Sequence, residues 1–267
     1  MSSLSILTWN VWFDPRHICA RTRYIASILK RSAYDVVCLQ EIVKHSLRVL
    51  LDDGELRKRY NFAFDRSVPQ GYGELMLVRK DLPFQFESVP FPETRMGRRI
   101  NRLYLESLNT IIFTAHLESV FRNNHTQIKK DQFNLLMSVA SRCPQNIIVA
   151  GDMNLTLDDD SWALDASTKQ GMTDSTGPFL GMETYDCARN TNAHTFQSRL
   201  DRLYYKTCRN GGPCFTFDAG GGPYGMGHLV GTERMNAPDN SRIHPSDHFG
   251  IGSIFIIQKK GPYRRPL

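Results

Sequence analysis

Apolar residues fall in short runs that alternate between strand-like and helical spacing along nearly the whole chain. Leu4 to Trp9 predicts a strand; Trp9 alternates with Thr8 and Asn10 and is expected in the core. Ile25, Ile28 and Leu29 fall at helical spacing, predicting a helix over Arg21 to Lys30. Tyr34 to Leu39 is β-branched and apolar, so a buried strand is expected there. Leu47, Leu50, Leu51 and Leu56 share one side of a predicted helix running from His45 to Tyr60. Strands are predicted at Glu74 to Val78, Phe84 to Val89, Leu103 to Leu108 and Thr110 to Leu117, with a tight turn at Asn109. Ile128, Leu135, Leu136 and Val139 mark an amphipathic helix from Thr126 to Arg142, followed by a buried strand at Ile147 to Ala150. Thr195 and Phe196, then Leu203 to Tyr205, predict a hairpin, and Phe249 to Ile257 a final strand.

No Pro/Ser-rich linker or repeat divides the 267 residues, so one domain is expected over 1–258, with a basic tail at 259–267. The segment Asn210 to Gly231 is too rich in glycine to hold a helix or a firm strand. It is expected to be a mobile surface loop, a tolerated insertion rather than a substrate-side flap. A 41% hydrophobic content supports a sizeable core and excludes a wholly disordered chain. The net charge of +6 favours a polyanionic partner only modestly. Six cysteines form no CxxC pair and no zinc-type spacing, which suits a reducing compartment. A signal peptide and a bilayer-length apolar run are both missing, so an intracellular protein in nucleus or cytoplasm, neither secreted nor membrane-bound, is expected.

Four polar clusters sit at strand ends: Thr8-Trp9-Asn10, Leu39-Gln40-Glu41, Gly151-Asp152-Met153-Asn154 and, preceding a strand, Ser246-Asp247-His248. Each alone has a commonplace reading as a turn, a solvated carboxylate or a loop with local hydrogen bonds. Together they supply what phosphodiester hydrolysis needs: a hard cation, an aligned water, and donors aimed at the phosphoryl oxygens. Mg²⁺, with Mn²⁺ as a substitute, prefers oxygen ligands and keeps several waters. Glu41 is its natural direct ligand, with Asp247 and Asn10 serving directly or through water. Asp152 is placed to orient or deprotonate the attacking water, and Asn154 to donate to phosphate or hold that geometry. His248 and His116 are candidate donors to the developing charge, and Asp201 is a candidate to fix the His248 tautomer and raise its pKa.

The order Asn, Glu, Asp-x-Asn, Asp, Asp-His resembles the endonuclease/exonuclease/phosphatase superfamily. The longer runs Ala115-His116-Leu117-Glu118-Ser119 and Pro90-Phe91-Pro92-Glu93-Thr94-Arg95-Met96-Gly97-Arg98 resemble its tyrosyl-DNA phosphodiesterase 2 branch. So do Arg199-Leu200-Asp201-Arg202 and His228-Leu229-Val230-Gly231, in matching order from Leu4 to Ile256. The resemblance implies an α/β fold, a four-layer α/β/β/α sandwich of two packed mixed sheets flanked by helices, DNase I-like. It implies hydrolysis of a 5′-phosphotyrosyl bond on a DNA end, as in topoisomerase II adduct repair, leaving a 5′-phosphate. The implied partner is single-stranded or end-frayed DNA carrying that adduct, with RNA as a second option, bound by a monomer. Carried over by position, Glu41 holds the metal and Asp152 handles the water. Asn10, Asn154, His116, Ser119 and His248 contact the phosphate. Arg98 and Tyr72 line the strand's channel, and Phe196, beside Thr195, offers a platform for a base.

Thr156 stands where this branch typically has Arg, so a backbone contact is in doubt, with Arg99 or Arg102 as possible compensation. The chain starts close to the first strand, so the ubiquitin-binding module of animal forms is expected to be missing. Arg95, Arg98, Arg99 and Arg102 also read as a solvated basic face, although a phosphate contact from at least one is favoured. His17, His125, His194 and His244 read as surface residues. The rival functions are an apurinic-endonuclease-like or inositol-phosphatase-like enzyme of the same superfamily and a non-catalytic nucleic-acid-binding module.

Overall fold

A computed structural model describes residues 2–65, 72–119, 125–175, 182–208, 214–216 and 227–258. The chain begins β1 (Ser2–Asn10), α1 (Ile18–Ser32), β2 (Val36–Val43), α2 (Lys44–Asp52), α3 (Gly54–Arg59), β3 (Tyr60–Ala63) and β4 (Tyr72–Arg79). It continues β5 (Gln85–Pro90), β6 (Arg99–Leu105), β7 (Thr110–His116), α4 (Thr126–Arg142), β8 (Asn146–Asp152), α5 (Asp160–Lys169) and β9 (Thr173–Asp174). It ends β10 (Tyr185–Asp186), β11 (Gln197–Ser198), β12 (Asp201–Lys206), β13 (Cys214–Thr216), β14 (His228–Val230), β15 (Met235–Asn236), β16 (Arg242–Ile243) and β17 (Gly250–Gln258).

Two mixed sheets result. One has the order β13-β17-β1-β2-β4-β3, with β14 also on β17; the other has the order β5-β6-β7-β8-β12-β9. Period-two alternation gives each sheet two apolar faces. Leu4 and Ile6 of β1 and Val36 and Cys38 of β2 meet Ile112 of β7, Ile148 and Ala150 of β8 and Leu203 of β12 in a core between the sheets. The alternate residues Leu7, Trp9, Val37 and Leu39 pack outward against Ile25, Leu29, Leu50 and Leu56 of α1, α2 and α3. Ile111, Phe113, Ile147 and Val149 pack outward against Phe133, Leu136 and Met137 of α4 and Ala163 of α5. This is the expected four-layer sandwich.

Several boundaries differ from the sequence expectation. The helix predicted over His45 to Tyr60 breaks at Asp53, whose extended backbone leaves its carboxylate free to cap Glu55 and Leu56 N–H and start α3. Tyr60 then opens a strand. The strand predicted at Leu103 to Leu108 begins earlier, at Arg99, and turns through Glu106–Leu108 to Asn109 in the left-handed region at φ 45°. The predicted hairpin of Thr195–Phe196 with Leu203–Tyr205 does not form. β11 pairs with β10 instead, and β12 joins β8, where burial of Leu203 and Tyr204 outweighs local pairing. Within the glycine-rich segment, Cys214–Thr216 and His228–Val230 pair with β17, contrary to the expectation of no firm strand. Most of that segment, and the tail 259–267, lie outside the described residues.

Candidate active site

Strand direction and side-chain parity together build the site. β1 and β2 run parallel, as do β7 and β8, whereas β17 and β12 are antiparallel to their neighbours. The ends of the first four and the starts of the last two therefore fall at one edge of the sandwich. Along β1 the inward set Leu4, Ile6, Thr8 reaches Asn10; along β7, Ile112 and Thr114 reach His116; along β8, Ile148 and Ala150 reach Asp152. On β12, Asp201 has the parity of Leu203. His116 and Asp201 are the register partners of Asp152 on either side. Gly151 is required here, since a β-carbon would collide with the Ala115 carbonyl oxygen of β7.

These side chains are closely bonded to one another. Asn10 Nδ2 donates to Asp152 Oδ2 across the two sheets at 2.9 Å, and Trp12 N–H donates to Asn10 Oδ1. Asn154, held at φ 50°, donates its backbone N–H to Asp152 Oδ1 and its side-chain amide to the Leu117 carbonyl. Arg98 Nη1 lies 2.7 Å from His116 Nδ1, and a guanidinium can only donate. His116 is therefore neutral, with its proton on Nε2, 3.3 Å from Asp152 Oδ2. Burial and the Arg98 charge hold its pKa well below the usual range. Burial opposes ionisation of Asp152, but His116, His248 and its amide donors outweigh it and keep the carboxyl below its ordinary pKa.

His248 Nδ1 lies 2.7 Å from Asp201 Oδ2. Burial alone would lower the His248 pKa; Asp201 and Asp247 outweigh it and raise it well above its ordinary value. The pair is thus an imidazolium donating to a carboxylate. Trp9 Nε1 holds the His248 carbonyl at 2.9 Å, which confirms Trp9 as a core residue.

Glu41 is placed differently. Between Leu39 and Ile42 the β2–β4 register slips by one residue, and Glu41 sits in this bulge at φ 61°. A side chain in that conformation costs about 1–2 kcal/mol. The loop after β1 supplies its donor, Phe13 N–H to Glu41 Oε2 at 3.0 Å. Burial, and then Asp247, push the Glu41 carboxyl up to about 7. Burial likewise pushes Asp247 up to about 6. Glu41 and half-buried Asp247 repel one another, and His248 and Arg21 offset this only in part, so the pair suits a hard cation, which would hold both ionised. A second group, Asp152, Asp201 and His248, offers three ligand atoms within 4.8 Å of one another and could also hold a metal. Asp201 Oδ1 there is buried without a hydrogen-bond partner.

All of these groups except Asp201 line one cavity of about 1090 Å³, which Tyr72, Arg98, Ser119, Thr195 and Phe196 also line. Glu41 and His248 thus share a cleft. Tyr72 stacks on Phe13 at 5.1 Å and lies under the Arg98 guanidinium at 5.3 Å. On the His248 side, Tyr185 stacks on Phe196 at 4.6 Å and meets the His248 ring edge-on at 5.3 Å. Behind the wall, Glu118 Oε1 accepts from Thr94 Oγ1, Arg95 N–H and Met96 N–H, and Thr94 Oγ1 accepts from Arg98 N–H. One buried carboxylate therefore ties the His116–Ser119 run to the Pro90–Arg98 run and sets Arg98 against His116.

Residues 7–248 match the Endonuclease/Exonuclease/phosphatase family. The chain belongs to this family. A 5′-tyrosyl-DNA phosphodiesterase of Caenorhabditis briggsae is 24% identical over 269 residues, covering 94% of this chain and 69% of that protein. The crystal structure of D. rerio TDP2 complexed with single strand DNA product is 25% identical. It superposes with a TM-score of 0.78 over 96% of this chain and all of that one (100%). Truncated Caenorhabditis elegans TDP2 shares the fold at 23% identity, with a TM-score of 0.73 over 95% of this chain and 97% of that one. The chain is accordingly a phosphoesterase of the endonuclease/exonuclease/phosphatase superfamily.

The structure overturns one of the sequence expectations, at His244, and locates several other residues. Arg99, held by Asp65 and Ser88, and Arg102, paired with Glu87, lie outside the cavity lining. His244 is not a surface residue but is buried, bonded to Thr191 and to the Thr232 carbonyl. His194 is exposed, as expected, and both it and half-buried His125 line the cavity. The reading also missed Tyr185, Phe13 and Arg21, and gave Glu118 no role. No periodicity surrounds Tyr185, and Phe13 lies in a loop; only the pairing of the two longer runs pointed toward Glu118.

Proposed function

We propose that this protein is a divalent-metal-dependent phosphodiesterase that hydrolyses 5′-phosphotyrosyl adducts on DNA ends, leaving a 5′-phosphate. The observation that carries this reading is the Glu118 link, which makes one unit of the two runs that set the tyrosyl-DNA branch apart from the rest of the superfamily. The D. rerio protein captured with a single strand DNA product, and the relatives named for tyrosyl-DNA cleavage, support the substrate class.

Glu41 and Asp247, with Asn10 beside them, would hold the cation, Mg²⁺ or Mn²⁺. Bound there, it supplies neutralising charge to the phosphoryl oxygens. Asp152, ionised and fixed by three donors, orients the attacking water; its lowered pKa favours that role over proton uptake. The His248 imidazolium, held by Asp201, donates to the charge that develops on phosphorus-bound oxygen. His116 Nε2–H and the Asn154 amide brace Asp152 and border the same space. Water adds to phosphorus and gives up a proton to solvent, the P–O bond to the tyrosyl oxygen breaks with its electron pair leaving on that oxygen, and the oxygen takes up a proton as tyrosine departs from the 5′-phosphate. Phe196 with Thr195, and Tyr72 with Arg98 and Ser119, form the walls against which the substrate lies. An intracellular protein acting as a monomer in nucleus or cytoplasm goes with this reading.

Incubation with Mg²⁺ and a 5′-phosphotyrosyl oligonucleotide is the test, run beside an abasic duplex and a soluble inositol phosphate. Release of a 5′-phosphate strand is expected only from the first. Preferential turnover of either other substrate moves the protein to another branch of the family. Tight metal-independent strand binding without turnover makes it a binding module.

A further inference from the structure

Among the described residues, six large apolar side chains are strongly exposed, and two of them, Phe13 at 48% and Met96 at 40%, line the cavity. Both lie on the Tyr72 side. Phe13 stacks on Tyr72 with only 7° between the ring planes, and Met96 touches Arg98, which lies over the same Tyr72 ring.

Phe13 sits on a braced loop. Buried Arg21 of α1 donates to the carbonyls of Val11, Trp12, Asp14, Arg16 and Pro245, tying the turn to the helix and to the segment before His248. The Phe13 N–H is fixed on Glu41. A half-exposed phenylalanine held this firmly forgoes burial that a polar residue would not need. Tyr72 covers one face of the ring, so the exposed remainder is left to meet a ligand.

A phosphodiester bound between Glu41, Asp152 and His248 sends its two ester groups in different directions, and the cavity has two aromatic walls. The Tyr185–Phe196 wall is flanked by His194 and the Thr195 hydroxyl, polar partners for a strand that carries a charge at every nucleotide. The Phe13–Tyr72 wall, edged by Met96 and crossed by the Arg98 guanidinium over the Tyr72 ring, presents aromatic faces, a thioether and a cation, which suit an electron-rich aromatic ring.

We infer that Phe13 is the residue that selects an aromatic leaving group, its open face stacking on the departing tyrosyl ring. This rests on the phosphotyrosyl reading of the site and names the side chain that discriminates within it. Stacking present in both ground and transition states acts on KM rather than kcat.

The experiment compares wild type, Phe13→Ala and Phe13→Tyr on a 5′-phosphotyrosyl strand. It also measures inhibition by the same strand ending in a plain 5′-phosphate, which keeps every base and lacks only the tyrosyl group. Phe13→Ala is expected to raise KM about tenfold with kcat little changed, to leave the inhibition constant within about twofold, and to be rescued by Phe13→Tyr. Equal weakening of substrate and product strand would place the Phe13 ring against a base and overturn the inference. So would an unchanged KM, or a failure of Phe13→Tyr to restore it. A wild-type protein inert on the phosphotyrosyl strand but active on another phosphoester removes the underlying reading instead, and the inference falls with it.

Discussion

The two halves of the cavity are finished to different degrees. At the ends of β7, β8 and the start of β12, the buried polar groups answer one another apart from Asp201 Oδ1: Asn10, His116 and Asn154 converge on Asp152, and His248 pairs with Asp201 through Oδ2. In the same cavity, Glu41 has one backbone donor and a neighbouring like charge in Asp247. The first half is preorganised without a ligand, so its geometry is in place before substrate arrives. The second is electrostatically incomplete, and a cation would complete it. The difference gives one carboxylate a preorganised, hydrogen-bonded setting and leaves the other to a ligand, although both follow apolar runs in the sequence.

Substitution of each carboxylate breaks this contrast most directly. Glu41→Ala is expected to lower metal-dependent turnover by roughly 10³-fold or more, since several kcal/mol of charge neutralisation depend on the ion. Strand binding should survive, which a gel-shift titration would show. Asp152→Asn is expected to lower kcat by roughly 10²-fold. It should also cost about 1–3 kcal/mol of stability, because an amide cannot accept from all the donors that converge there; chemical denaturation measures that. If both variants lost activity and stability alike, the halves would not differ as described.

Glu118→Ala tests whether the wall behind Arg98 matters. A roughly tenfold drop in kcat/KM is expected, as Thr94 and the Arg95 and Met96 amides lose their shared acceptor and Arg98 shifts from His116. Unchanged kcat/KM with a folded protein would make the link purely structural.

The smallest expected effect separates the halves by pH. The folded pKa of Glu41, about 7, lies above its ordinary 4.5. In metal-free protein its contribution to stability is therefore fully present below about 4.5 and lost as pH rises through about 7. Glu41→Gln should raise Tm in chelator by on the order of a few °C at pH 8.5 and leave it nearly unchanged at pH 4.5. Mg²⁺ affinity should rise over the same interval, because the ion competes with a proton. A pH-independent Tm difference would mean that the carboxylate is not held uncompensated.

Much of the site was legible because strand periodicity and strand-end position are local properties. Alternation marked Trp9 as core and Asn10 as facing the other way, and the same alternation leads to His116 and Asp152. The loops were far less legible. Phe13 and Tyr185 lie where no periodic signal exists, and His244 is buried by segments distant in sequence.

By itself the sequence determined the long central strands, which face of each is apolar, and which polar residues lie near their ends, since these follow from backbone period and side-chain chemistry. Only the tertiary structure decided that Glu41 occupies a bulge, that Glu118 joins two motifs, and that His116 is neutral while His248 is charged. Those outcomes depend on what lies opposite a residue across the sandwich, and burial changes the cost of charge by amounts that no local pattern records.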